Sequence, residues 1–224
     1  MVSVPTGPNV LGRNEHQVEK QGIWYNDVRN GIIRDVCLAA PEEEQLLVFV
    51  RTTEHMEHLI EKWLPEGFVS MHSELPPRQR RKIQKDFVDG KIKRLISTDC
   101  LKQGVDTKNL FILVNANWVS SRVGVGQRRG RNRRLRDDKA FGVIVDFQDE
   151  WMEQIIKEQQ ASVATQSALE GFELEPQDPP HLLLHNRAKT RARRYRKAGD
   201  KVFKVKSAKE ICFNDDSQKC LPGL

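Results

Sequence analysis

The four cysteines of this 224-residue chain, Cys37, Cys100, Cys212 and Cys220, are scattered and form no C-x-x-C pair. That spacing excludes a zinc knuckle or a disulfide scaffold and fits reduced thiols. No apolar stretch approaches the roughly 20 residues a membrane helix needs. Met1 to Val10 lacks the charged start and apolar run of a secretion signal, so an intracellular protein without membrane contact is expected. No internal repeat is visible, and no G-x-x-x-x-G-K-[ST] occurs, so no loop of that kind cradles phosphates. His55 and His72 read as partly buried hydrogen-bonding residues, and no metal site is expected.

What is present is charge. Charged residues make up 30% of the chain against 38% hydrophobic, and the net charge is +6. This balance describes a globular chain that favours a polyanionic partner without naming one. The densest stretch runs from Gln127 to Arg134, with five arginines in eight residues around Gly130. Arg131 and Arg134 are three apart and share a face of a helix. Two planar guanidinium forks on one face suit a polyphosphate, and Gly130 permits a close approach that a side chain would block. A solvated basic helix is the plainer alternative. A second run, Arg187 to Lys209, holds eleven Lys/Arg and one acid, Asp200. Charge of one sign this dense repels itself unless a partner such as a phosphate backbone neutralises it.

Between these runs the chain alternates. Residues 1–21 are polar, with Pro5, Gly7, Pro8 and Gly12, and read as a poorly ordered lead-in. Val28, Ile32, Ile33, Val36 and Leu38 follow helical spacing from Asn26 to Ala40. Leu46–Val50 is a short apolar run typical of a strand buried on both faces. Thr52 or Thr53 can cap the helix after it. Further strands are expected at 68–71, 94–97, 110–114 and 141–147, with a helix from Pro76-Pro77 to Val88 that ends at Asp89-Gly90. Another helix follows from Trp151 to Gln160. This order predicts βαβ units and one parallel sheet covered by helices on both faces, over residues 22–160. A linker at 161–180 and a basic helical extension at 181–224 complete the chain.

In such sheets ligands gather beyond the carboxyl ends of the strands. Arg51-Thr52-Thr53, Ser97-Thr98 with Gly104-Val105-Asp106, and the arginine stretch all fall there. In content and order they resemble the second RecA-like domain of superfamily 2 helicases. Leu46–Thr53 resembles motif IV, 94–99 with 104–106 motif V, and 127–134 motif VI. His72-Ser73-Glu74-Leu75 with the helix after it resembles the motif between IV and V. The resemblance covers roughly 22–150. Asn26–Asn30, with His185, Arg187 and Tyr195, is similar to the branch of repair, restriction and phage branch-migration helicases.

The resemblance implies roles. Arg131 and Arg134 would be arginine fingers that reach the γ-phosphate of ATP held by a neighbouring domain. Gln127, Arg128 and Gly130 would lie at the domain interface, and Gly104 and Asp106 at the nucleotide edge. Ser97 and Thr98, with Arg51 and Thr52, would meet the nucleic-acid backbone, DNA being favoured. Arg187, Arg191, Arg194 and Lys197 are the phosphate contacts expected in the extension. ATP and Mg2+ would be bound mainly by the partner domain. The location implied is the cytoplasm of a bacterium or phage-infected cell, or a eukaryotic nucleus.

The chain departs from the family in having neither the phosphate loop nor a D-E-x-H box before motif IV; Asp149-Glu150 comes after motif VI. The 224 residues therefore supply no first RecA-like domain. Three arrangements fit: a piece of a longer chain, a motor encoded in two halves, or an ATPase that has been lost. A non-catalytic module that grips nucleic acid or regulates a helicase is the alternative function.

Overall fold

The computed structural model describes residues 1–5, 7, 15–98, 109–117, 142–150, 161, 182–211 and 213. Six strands form one sheet: β1 (Val2–Val4), β2 (Gln45–Phe49), β3 (Val69–Met71), β4 (Arg94–Ser97), β5 (Leu110–Asn115) and β6 (Val143–Asp149). Their order is β1-β6-β5-β2-β4-β3 and every pairing is parallel. The expected RecA-like parallel sheet is thus the architecture found. The central strands are apolar runs because both of their faces are covered.

Alternation along β2 divides the core. Leu46 and Val48 point to one face with Ile33 and Val36 of α2 (Asp27–Ala39) and Met56 and Leu59 of α3 (Thr53–Lys62). Leu47 and Phe49 point to the other, with Phe87 of α4 (Pro77–Val88). Each helix starts or stops where its sequence dictates. The Asn26 side chain accepts from the Arg29 N–H at 3.1 Å and caps α2. Thr52 caps α3 in the same way, and α4 begins at Pro77 and closes at Asp89-Gly90, Gly90 taking φ +79°. Cys37 is a free, buried thiol whose pKa burial pushes up to about 12, as expected of an inert packing residue.

The two ends of the chain differ from expectation. The poorly ordered lead-in instead supplies β1, whose Val2 and Val4 are buried against β6. Residues Glu15–Glu19 (α1) run into a π-helical turn, Lys20–Trp24, that buries Ile23 and Trp24. The stabilising partner of β1 lies some 140 residues away, so local polarity did not reveal it.

The basic helix α5 (Leu182–Lys197) does not stand off as an appendage: it packs on β6. It buries Ala188, Arg191, Ala192 and Tyr195, the i, i+3, i+4, i+7 face. Beyond it Val205 bridges to Val2, and Ser3 N–H donates to its carbonyl at 2.9 Å. Among the described residues no helix is long and apolar enough to cross a membrane. The expected helix at 151–160 and the linker, apart from Ala161, lie outside the described residues.

Candidate nucleotide and nucleic-acid edge

One rung crosses five strands, at the carboxyl ends of β3, β4, β2 and β5 and at the middle of β6. Met71 is in register with Ser97, Ser97 with Phe49, Phe49 with Asn115, and Asn115 with Asp146. Paired residues of a parallel sheet project to the same side. Just past this rung the chain releases His72, Thr98, Val50-Arg51-Thr52 and Ala116. Two of the three expected site stretches are therefore brought together: Val50 N–H donates to the Ser97 carbonyl at 3.0 Å, and Thr98 N–H to the Met71 carbonyl at 3.2 Å. The rest of motif V (Gly104, Asp106) and all of motif VI (Gln127, Arg128, Gly130, Arg131, Arg134) lie outside the described residues.

The side chains at this edge are already engaged. Ser97 Oγ donates to the Thr98 carbonyl at 2.9 Å, and both residues are buried. Thr52 Oγ1 accepts from the His55 N–H at 3.3 Å, so it works as the α3 cap. Arg51 is half-exposed and donates through Nη1 to Glu19 Oε2 at 2.9 Å. Glu19, not anticipated from the sequence, thus neutralises the exposed cation of motif IV. Asn115 is fully buried, and neither its amide nitrogen nor its oxygen has a hydrogen-bond partner.

Two buried ion pairs brace β6 from opposite sides. Asp149 shares the face of Val145 and Phe147 and meets Arg29 of α2 at 2.7 Å, with both side chains 1% exposed or less. The Arg29 guanidinium also lies 4.6 Å from the Phe147 ring centroid. Burial lowers the Arg29 pKa, and Asp149 offsets part of that. On the other face Asp146 meets Arg191. Its carboxylate accepts from Arg191 Nε at 3.1 and 2.9 Å and from Tyr195 Oη at 3.0 Å. Burial pulls the Arg191 guanidinium down, but Asp146, helped by Tyr195 and Asp149, outweighs it and the pKa is raised.

This corrects one expectation. Arg191, anticipated as a phosphate contact, is fully buried and anchors α5 to the sheet. Of its companions, Arg187 is half-buried and already has an interaction partner, Arg194 is half-buried with Nη1 unpartnered, and Lys197 is exposed. The signal that could have found the anchor is Asp146 itself: an acid between Val145 and Phe147 in a buried strand requires a cation.

Of the two histidines, His55 is fully buried and its Nε2 has no partner. Its ring is stacked 6.5 Å from that of Trp24, centroid to centroid. His72 is half-buried, with Nδ1 3.6 Å from Glu74. Among the described residues no group of His, Cys, Asp and Glu could hold a metal ion.

Residues 29–136 match the helicase conserved C-terminal domain. The ATP-dependent RNA helicase FAL1 of Coccidioides immitis is 31% identical over 105 residues, 46% of this chain and 26% of that protein. Its namesake in Chaetomium globosum is 32% identical over the same length and shares. The chain spans about a quarter of the length of these curated relatives. Two solved structures share the fold. UvsW of T4 is 20% identical, with 88% of this chain and 37% of that chain covered and a TM-score of 0.56. The C-terminal domain of S. cerevisiae Dbp5 is 16% identical, with 85% and 86% covered and a TM-score of 0.50. Residues 29–136 are therefore similar to the helicase conserved C-terminal domain, and the parallel sheet that carries most of them has the RecA-like fold.

Proposed function

We propose that the chain is the C-terminal motor half of an ATP-dependent nucleic-acid helicase or translocase. One observation carries the reading: the Phe49–Ser97 register brings the motif IV and motif V ends to one edge of the sheet, within a segment that matches the helicase family. Arg131 and Arg134 act as arginine fingers on ATP bound mainly by a first RecA-like domain, with Gln127, Arg128, Gly130, Gly104 and Asp106 at the shared interface. A finger stabilises charge that develops during phosphoryl transfer. Magnesium is assigned to the partner domain, which supplies the phosphate loop and acidic box. Arg51 and Thr98 border the nucleic-acid track.

DNA is the polymer expected from the sequence, while the FAL1 relatives are named RNA helicases, so both polymers enter the test. The chain is mixed with, or fused to, a first RecA-like domain bearing the phosphate loop and acidic box. ATP hydrolysis is then followed with single-stranded DNA or RNA. No turnover is expected from the chain alone, and polymer-stimulated turnover from the pair. Turnover by the chain alone overturns the division of labour. No turnover from the pair favours the non-catalytic module.

A further inference from the structure

We propose that the outward face of α5, formed by Lys189, Arg193, Arg196 and Lys197, is a phosphate-binding stripe along which one strand of the nucleic acid continues after leaving the sheet edge. This deepens the proposed function and rests on it.

The register of α5 carries the proposal. Burial of Ala188, Arg191, Ala192 and Tyr195 fixes the rotation of the helix about its axis. At 100° per residue, Arg193 and Lys197 then fall opposite that buried face and Lys189 and Arg196 on one flank beside them, and all four are exposed. Bulk charge could not have told these four from the other basic residues of the run. The same rotation sends Arg191 inward, where Asp146 neutralises it. Among the described residues none of the four outward cations has a carboxylate partner. By contrast Lys204, on the segment after the helix, pairs with Glu150. Four cations on one side of a helix, with no carboxylate partner among the described residues, repel one another and favour a polyanion.

Position and length indicate which polyanion. Asp146 stands on the rung that includes Ser97. Three strand spacings separate them, about 14 Å. From Lys189 to Lys197 the helix rises about 12 Å, room for three or four phosphates at the roughly 3.4 Å axial spacing of one duplex strand. A strand that touches Thr98 and Arg51 needs only a few more nucleotides to reach the stripe. The Asp146–Arg191–Tyr195 cluster positions that surface without touching the ligand.

The test is the salt dependence of binding by the full chain to a labelled 20-nucleotide single strand. Each phosphate contact contributes a slope of about 0.7 in log K against log salt. Replacing Lys189, Arg193, Arg196 and Lys197 together by alanine is expected to lower the slope by about three, with the urea midpoint unchanged. The control replaces four exposed lysines toward the opposite edge of the sheet, Lys62, Lys85, Lys91 and Lys93, and is expected to move the slope by less than one. Equal losses in the two variants, or no loss in the first, overturn the stripe while leaving the proposed function standing. If the unaltered chain fails to bind the single strand even at low salt, both fall.

Discussion

Arg191 and Asp146 are joined across 45 residues of sequence by two contacts from one nitrogen, at 3.1 and 2.9 Å, with neither side chain more than 1% exposed. A residue that reads as one more surface cation in a basic run is the bolt that fastens the run to the sheet. Removing one partner strands a buried charge, which costs about 3–5 kcal/mol. Arg191→Ala and Asp146→Ala should each lower unfolding stability by that amount in urea titration. Replacing both by leucine should cost less than the sum of the single changes. Tyr195→Phe, which removes one hydrogen bond to the carboxylate, should cost about 1.5–3 kcal/mol. Losses below about 1 kcal/mol for both alanine variants would remove Arg191 from the role of anchor.

Thr52 separates a structural role from a binding one. Its hydroxyl oxygen caps α3, so Thr52→Ala should cost about 1 kcal/mol of stability and Thr52→Ser very little. A variant that keeps its stability and loses only nucleic-acid affinity would reverse that assignment.

Glu19 and Arg51 make the opposite prediction. Their contact holds the exposed motif IV cation against a nearly buried carboxylate. Glu19→Gln should release Arg51 to a phosphate and steepen the salt slope by about 0.7 on a single strand. Weaker binding with a shallower slope would show that Glu19 orients Arg51 for the ligand instead of competing for it.

His55 gives stability a pH dependence. Burial, then the nearby Arg29 charge, pushes its pKa down to about 3 from the ordinary 6.5. Between those values the unfolded chain takes up a proton that the folded chain refuses. The contribution is complete above pH 6.5 and declines as pH falls toward 3, by up to about 1.4 kcal/mol per pH unit. His55→Gln should remove that part of the slope in unfolding titrations at pH 4 to 7. Equal slopes for the two proteins would place the imidazole in water.

The parts of the fold legible in the sequence were those with local signatures. Leu46–Val50 and Leu110–Val114 announce buried strands, and Asn26, Thr52 and Pro77 mark helix starts. β1 was not legible, because Val-Ser-Val is too short to signal a strand and is stabilised by Phe147 and Asp149, far from it in the sequence. Docking of α5 was hidden for a different reason. Its buried face is two alanines, a tyrosine and an arginine, and only the partner of that arginine distinguishes it from a solvated helix. At the candidate edge the order of Arg51-Thr52 and Ser97-Thr98 could be read from the motifs. The Thr52 cap was legible too, being local, whereas the engagement of Arg51 with Glu19 was not, since that contact depends on how α1 packs.

The arginines of motif VI decide whether this is half a motor. With the first RecA-like domain restored, single-turnover ATP hydrolysis on a nucleic-acid strand is measured for Arg131→Ala, Arg131→Lys, Arg134→Ala and Arg133→Ala. An arginine finger contributes about 10³–10⁵ in rate. Arg131→Ala and Arg134→Ala should therefore lose most of the turnover. Arg131→Lys, which keeps the charge and loses the fork, should recover little of it, and Arg133→Ala, which falls outside the three-residue spacing of Arg131 and Arg134, should stay close to the unaltered protein. Equal losses from Arg133→Ala and Arg131→Ala would mean that the stretch acts as a basic patch and that no finger reaches the nucleotide.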